Sequence, residues 1–296
     1  MPVIETRGLT KDFGNDKGLF DLDLKVERGR VHGFLGPNGA GKTTCMRMLM
    51  DFLRPTRGAA RVLGHDPQVD ADGIRARVGY MPGELALPEH ITGRRFLDDS
   101  AALRGGIDED WRDHLVDLFG AQLDPKIRTL SKGNKQKIGL IDSLQHRAPL
   151  WILDEPTDGL DPLLRHKVHD LLRDHARRGG TVFLSSHVVH EIQTTCDDVS
   201  IILNGRLRRQ DTVLGMLSRE PTRIRCRLPQ TRGARAALAQ VPGVTRLTRR
   251  DGEVRFQLRG DILPAMEALI QLRAQDVVVR QHDLEETFLD LYAEGA

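Results

Sequence analysis

The chain has 296 residues, 39% hydrophobic and 29% charged, a globular balance that excludes a disordered chain or a fibre and suits two domains. Its 44 basic and 42 acidic side chains leave a formal charge of +2, too small an excess for a protein that coats nucleic acid, so no nucleic-acid partner is expected. Three widely spaced cysteines, Cys45, Cys196 and Cys226, form neither a disulfide framework nor a metal cluster and fit a reducing cytosol.

No stretch approaches the roughly 20 apolar residues needed to cross a bilayer, and residues 1–7 lack the layout of a signal peptide. Work at a membrane would require docking onto another chain. In chain order, Val31–Leu35 is a compact apolar run predicting a buried strand. Gly36-Pro37-Asn38-Gly39-Ala40-Gly41-Lys42-Thr43-Thr44 follows it, fits G-x-x-x-x-G-K-[ST], and opens a helix predicted over 43–53. Such glycines let backbone N–H groups turn around phosphate oxygens, and the helix adds its positive end. Lys42 supplies charge to the β- and γ-phosphates, and the Thr43 hydroxyl is placed to ligate Mg²⁺. Nucleotide binding is the reading.

Residues 92–147 read as mostly helical, broken at Gly105-Gly106 and around Asp124-Pro125, and long enough for a helical insertion. Within them, Ser131 is placed to cap a helix. Leu150-Trp151-Ile152-Leu153 then runs into Asp154 and Glu155. A strand ending in Asp sets a carboxylate at the sheet edge beside the phosphate loop, where it can hold Mg²⁺. Glu155, one residue on, is placed to orient or deprotonate an attacking water. A further apolar run, 181–184, leads into Ser185-Ser186-His187. Strands apolar on both faces and separated by helices predict a parallel sheet covered on both sides.

The pattern changes after 219–222. Ile224, Cys226 and Leu228 alternate with arginines at strand period, and a helix is predicted over 233–241. Strands over 244–250 and 253–259 join through Asp251-Gly252, then come a helix over 261–274, the run 277–279 and an amphipathic helix over 284–292. The order β-α-β-β-α-β matches ferredoxin-like domains.

The segment Leu130-Ser131-Lys132-Gly133-Asn134-Lys135-Gln136 resembles the signature of the ATP-binding cassette (ABC) ATPases, usually LSGGQ, with Lys132 for the first glycine and Asn134 for the glutamine. Gly159-Leu160-Asp161 is similar to the family's D-loop and Ser185-Ser186-His187 to its switch-histidine segment. Phe13 matches the aromatic position that stacks on adenine, a core phenylalanine being the competing explanation. The resemblance covers about residues 3–218 with every element in family order.

The resemblance implies an α/β P-loop NTPase domain of the ABC type over 1–220, with its helical subdomain near 92–147, and a small accessory α+β domain over 221–296. It implies ATP as ligand, with Glu155 and His187 catalytic. Phe13, the loop 36–44, Ser131, Gly133 and Asp161 would bind nucleotide, and Thr43 and Asp154 Mg²⁺. The Lys42 and Glu155 face of one subunit would need the Ser131 and Gly133 face of a second copy, giving a head-to-tail ATP-bound homodimer. A separate transmembrane permease would carry the substrate, placing this chain in the cytoplasm on the inner face of a bacterial cell membrane. The N-terminus and the tail Leu284-Glu285-Glu286-Thr287-Phe288-Leu289 are similar to ATPases of drug, antibiotic and lipid exporters. A non-transport ABC ATPase on ribosomes or nucleic acid is the alternative; a P-loop kinase or GTPase lacks the signature. Gly83, in Gly79-Tyr80-Met81-Pro82-Gly83-Glu84, stands where the family has a metal-touching glutamine, and Glu84 is its expected stand-in.

Overall fold

A computed structural model describes residues 2–219, 221–229, 234–250, 252–280 and 283–294. They form two compact units, the first ending at Thr212 and the second opening at Val213. The first unit begins with β1 (Ile4–Asp12), β2 (Gly18–Leu22), β3 (Lys25–Val26), β4 (Val31–Leu35), α1 (Lys42–Leu49), β5 (Arg57–Val62), α2 (Ala71–Arg75) and β6 (Val78–Met81). A helical stretch follows: α3 (Gly93–Leu103), α4 (Glu109–Phe119), a single 3₁₀ turn at Ile127–Thr129 and α5 (Lys132–Leu144). The unit closes with β7 (Leu150–Asp154), α6 (Pro162–Arg177), β8 (Thr181–Ser186), α7 (Val189–Thr195), β9 (Asp198–Leu203) and β10 (Arg206–Thr212).

Six strands lie in the order β10-β9-β4-β8-β7-β6, parallel from β9 to β6 with β10 antiparallel at the edge. Every residue of β4, β7, β8 and β9 is buried, as a parallel sheet covered on both faces requires. Leu35 pairs with Ser186, Asp154 with Ser185, and Met81 with Leu153. The C-terminal ends of four adjacent strands are therefore level, and the segments that leave them share one sheet edge.

A second, antiparallel sheet, β2-β1-β3 with β5 also on β1, was not anticipated from sequence. It packs Ile4, Leu9, Leu19 and Leu22 into one core with Met46 and Leu49 of α1. That helix ends earlier than the apolar spacing predicts, because Asp51 takes a left-handed φ of 52°. In the helical stretch, Thr92, Asp108 and Ser131 each cap a helix by accepting from the backbone N–H three residues on. Gly105, Gly106 and Gly120 take φ of 83°, 105° and 57°, the first pair following α3 and the last ending α4.

The second unit runs α8 (Val213–Arg219), β11 (Thr222–Arg227), α9 (Ala234–Ala239), β12 (Val244–Arg250), β13 (Glu253–Leu258), α10 (Leu263–Gln271), β14 (Gln275–Arg280) and α11 (Leu284–Glu294). Its sheet is antiparallel in the order β12-β13-β11-β14. Ile224, Cys226, Val254 and Phe256 form its core with Leu238, Ala265 and Leu269. Gly233, read as a helix start, and Asp251, read in a hairpin turn, lie outside the described residues. Among the described residues, no helix is long and apolar enough to cross a membrane.

Candidate active site

The phosphate loop leaves β4 and is tied at once to its neighbour, Gly36 N donating to Ser186 O of β8 at 3.3 Å. A Cβ on Gly36 would lie 2.4 Å from Ile202 O, so only glycine permits this approach. Gly39 and Gly41 turn the loop at φ of 81° and 102°. Gly41 then opens α1 without a side-chain cap, leaving the first-turn N–H groups to an anion. Lys42 is buried, its Nζ donating to Gly36 O at 2.7 Å and Pro37 O at 3.2 Å. It also pairs with Glu155 Oε1 at 3.1 Å.

At the end of β7, Asp154 is fully buried. Ser185 Oγ donates to its Oδ1 at 2.5 Å and accepts from Glu155 N at 2.9 Å. Among the described residues, none is a hydrogen-bond partner of Asp154 Oδ2. The flank beside it is open because residue 83 is glycine: a Cβ there would stand 2.9 Å from Oδ2. A buried carboxylate oxygen with room beside it suits a hard cation. Glu155 departs from the strand with φ of 50°, a conformation costly for a non-glycine residue. Its side chain lies between Lys42 and His187, with Oε2 2.9 Å from His187 Nδ1.

Residues 38–44 and Glu155 line an open cleft of about 690 Å³ with Phe13. Phe13 is 57% exposed, so it is not the core residue that the competing explanation required. An aromatic face beside a phosphate loop suits a purine ring.

Ser131, Gly133 and Asp161 line a different cleft, together with Gly159 and Leu160. Ser131 Oγ accepts from Asn134 N at 3.2 Å as the cap of α5. Asp161 Oδ1 accepts from Leu164 N at 3.0 Å as the cap of α6. Asn134 turns inward and exchanges two 2.8 Å hydrogen bonds with the Gln122 backbone. Lys132 donates to Asp158 at 2.9 Å, and that hydrogen bond holds the Asp158 carboxyl below the usual carboxylate range. Gln136 Nε2 donates to Glu155 O at 3.3 Å and Pro156 O at 3.4 Å, joining α5 to the catalytic strand. The two groups of residues thus line separate clefts.

Two positioning residues escaped the sequence reading. Ser185 was visible only as part of the switch segment, and its link to Asp154 spans 31 positions. Glu191 Oε2 accepts from Thr157 at 3.0 Å and Ser186 at 3.1 Å, while Arg165 lies 3.7 Å from its Oε1. It ties the segment after β7 to the segment before His187. Glu84, the expected stand-in for the missing glutamine, is instead exposed, its carboxylate 3.9 Å from Arg47. The space beside Asp154 belongs to Gly83.

The profile of the ABC transporter family matches residues 19–158. The daunorubicin/doxorubicin resistance ATP-binding protein DrrA of Streptomyces peucetius is 33% identical over 97% of this chain and 90% of its own length. The bacitracin transport ATP-binding protein BcrA of Bacillus licheniformis is 36% identical over 69% of this chain and 68% of its own. Among solved structures, an ATP-binding subunit of an ABC transporter superposes with a TM-score of 0.66 at 28% identity, covering 73% of this chain and 92% of that one. A dimeric cassette bound to ADP and phosphate, 18% identical, shares the fold with a TM-score of 0.64 over 71% of this chain and 98% of its own.

Proposed function

Since the chain belongs to the ABC transporter family of ATPases, we propose that it powers a bacterial exporter of drugs, antibiotics or lipids as its separate nucleotide-binding subunit. The observation that carries the mechanism is Glu155 held between Lys42 at 3.1 Å and His187 at 2.9 Å. The loop 36–44 and Lys42 grip the phosphates of ATP, Lys42 exchanging its loop carbonyls for phosphate oxygens, and Phe13 stacks on the adenine. Asp154 and Thr43 would hold Mg²⁺, which spreads the charge that develops on the transferred phosphoryl group. Glu155 accepts a proton from, or orients, the attacking water, and His187 contacts the γ-phosphate and responds to its loss.

Ser131, Gly133 and Asp161 complete the site of a second copy. Their placement in a cleft separate from Lys42 supports this reading, because a nucleotide in one cleft leaves the other half unused. ATP closes the head-to-tail dimer, hydrolysis opens it, and a transmembrane partner on the inner face of the membrane converts the motion into transport. Export rests on the names of the two relatives, a drug-resistance protein and an antibiotic-transport protein. Residues 1–220 act as the ATP-binding domain with its helical subdomain near 92–147. Residues 221–296 form an accessory ferredoxin-like domain, a reading supported by the strand order β12-β13-β11-β14.

The test is Glu155→Gln. The variant should bind ATP, hydrolyse it at least a hundredfold more slowly, and run as an ATP-dependent dimer in size-exclusion chromatography. Wild-type turnover would remove Glu155 from this role.

A further inference from the structure

The open face of the second unit's sheet is built from arginine. Alternation along β11 buries Ile224 and Cys226 and leaves Arg223, Arg225 and Arg227 exposed. Cross-strand register then sets Arg225 directly opposite Arg255 of β13, and Arg223 opposite Arg280 of β14. Like charges so placed repel one another, which works against the sheet unless something anionic lies over them. Arg246 joins them from β12, where the register slips between Thr245 and Thr248 and Arg246 takes a left-handed φ of 49°.

Arg223, Arg225, Arg246, Arg255 and Arg280 together line a concavity of about 310 Å³. Among the described residues, two carboxylates temper them: Glu286 lies 2.8 Å from Arg223, and Glu253 pairs with Arg255 at 2.5 Å and Arg225 at 3.6 Å. Among the described residues, Arg246 and Arg280 make no ion pair, and the face keeps a positive excess. Guanidinium forks match the paired oxygens of phosphate, and a concavity surrounded by several of them favours a compact multivalent anion. The aromatic ring that lines it, Phe256, is 2% exposed and belongs to the core, so the face offers no platform for stacking bases.

We propose that this arginine face is a second anion site, distinct from the phosphate loop, that binds a multivalent phosphate group. Such a group is carried by a soluble phosphate ester or by a lipid headgroup, and the experiment separates the two. The full chain, its phosphate loop saturated with ADP, is titrated with pyrophosphate by calorimetry and, separately, floated with vesicles of phosphatidylcholine with or without phosphatidic acid, whose phosphomonoester carries up to about two charges. Pyrophosphate binding points to the soluble ester; capture by vesicles containing phosphatidic acid alone points to the headgroup. In either case the Arg225→Gln/Arg255→Gln double variant should weaken binding at least tenfold, added salt should weaken it further, and ATPase activity should stay unchanged. Arg280→Gln, a single change on an edge strand, should give the same direction at several-fold if the double variant fails to fold. The proposal fails if neither probe binds, if binding survives both variants, or if the chain takes up only a single-stranded oligonucleotide.

Discussion

Replacing Ser185 with alanine removes one hydroxyl that serves both the Asp154 carboxylate and the Glu155 backbone N–H at the end of β7. The hydroxyl is fully buried, donates to Asp154 Oδ1 at 2.5 Å and accepts from Glu155 N at 2.9 Å. A hydrogen bond to a buried charge is worth about 1.5–3 kcal/mol, and an amide left without its acceptor costs about 1 kcal/mol more. Because Asp154 Oδ2 already lacks a partner among the described residues, the variant leaves both oxygens of a buried carboxylate without a donor there. We expect Ser185→Ala to lose roughly 2–4 kcal/mol of stability by urea denaturation. Saturating Mg²⁺ and ATP should narrow that gap, since a cation at Asp154 replaces the missing donor. The same loss frees the Glu155 backbone, and a displacement near 1 Å costs on the order of a hundredfold in rate. Turnover in a phosphate-release assay should fall about 10- to 100-fold with KM changed less than about threefold. Stability within about 0.5 kcal/mol of wild type together with unchanged turnover would refute the bridging role.

Lys42→Ala should abolish ATP binding or weaken it sharply, read with a fluorescent ATP analogue; unchanged affinity would contradict the phosphate-cradle assignment. Phe13→Ala should weaken ATP about tenfold, as expected for a lost stacking contact of roughly 1–2 kcal/mol, while Phe13→Tyr keeps it; equal affinities in all three would take Phe13 out of the site. Burial, with a smaller contribution from Arg30, pushes the His32 imidazole down to about 3. The unfolded chain therefore takes up this proton first, so stability is full above about pH 6.5 and declines as the pH falls towards 3. At pH 5 the His32 share of the loss is about 2 kcal/mol, read as a lower urea midpoint than at pH 7. Burial also pushes His146 and His175 down to about 4, so His32→Asn should reduce that dependence and leave the part they carry. A wild-type midpoint that does not change between the two values would exclude His32 as the cause.

The parts of this protein legible in the sequence are those whose chemistry is contiguous. A strand, a glycine-rich turn and a helix are adjacent from Val31 to Leu49, and β7 runs straight into Asp154 and Glu155, so local pattern suffices. The antiparallel sheet of β1, β2, β3 and β5 was not legible: β3 has two residues, and β1 mixes buried and exposed positions without strict alternation. Ser185 and Glu191 were missed for another reason. Their partners lie 31 and 34 positions away, at Asp154 and Thr157, and only the level ends of β7 and β8 bring them together. Glu84 shows the converse error, since proximity in sequence to Gly83 did not place its carboxylate near Asp154.

The amide of Gln136 has an implication for timing. It grips the main chain at Glu155 and Pro156, yet it rides on the same helix whose first residues face the twin's nucleotide in the proposed assembly. Whatever disturbs the carboxylate in one compartment is thereby passed, along a single rigid rod, to the lid of the other. In that proposed dimer two engines linked by such a crossbar would not fire independently, and their strokes should be correlated rather than random.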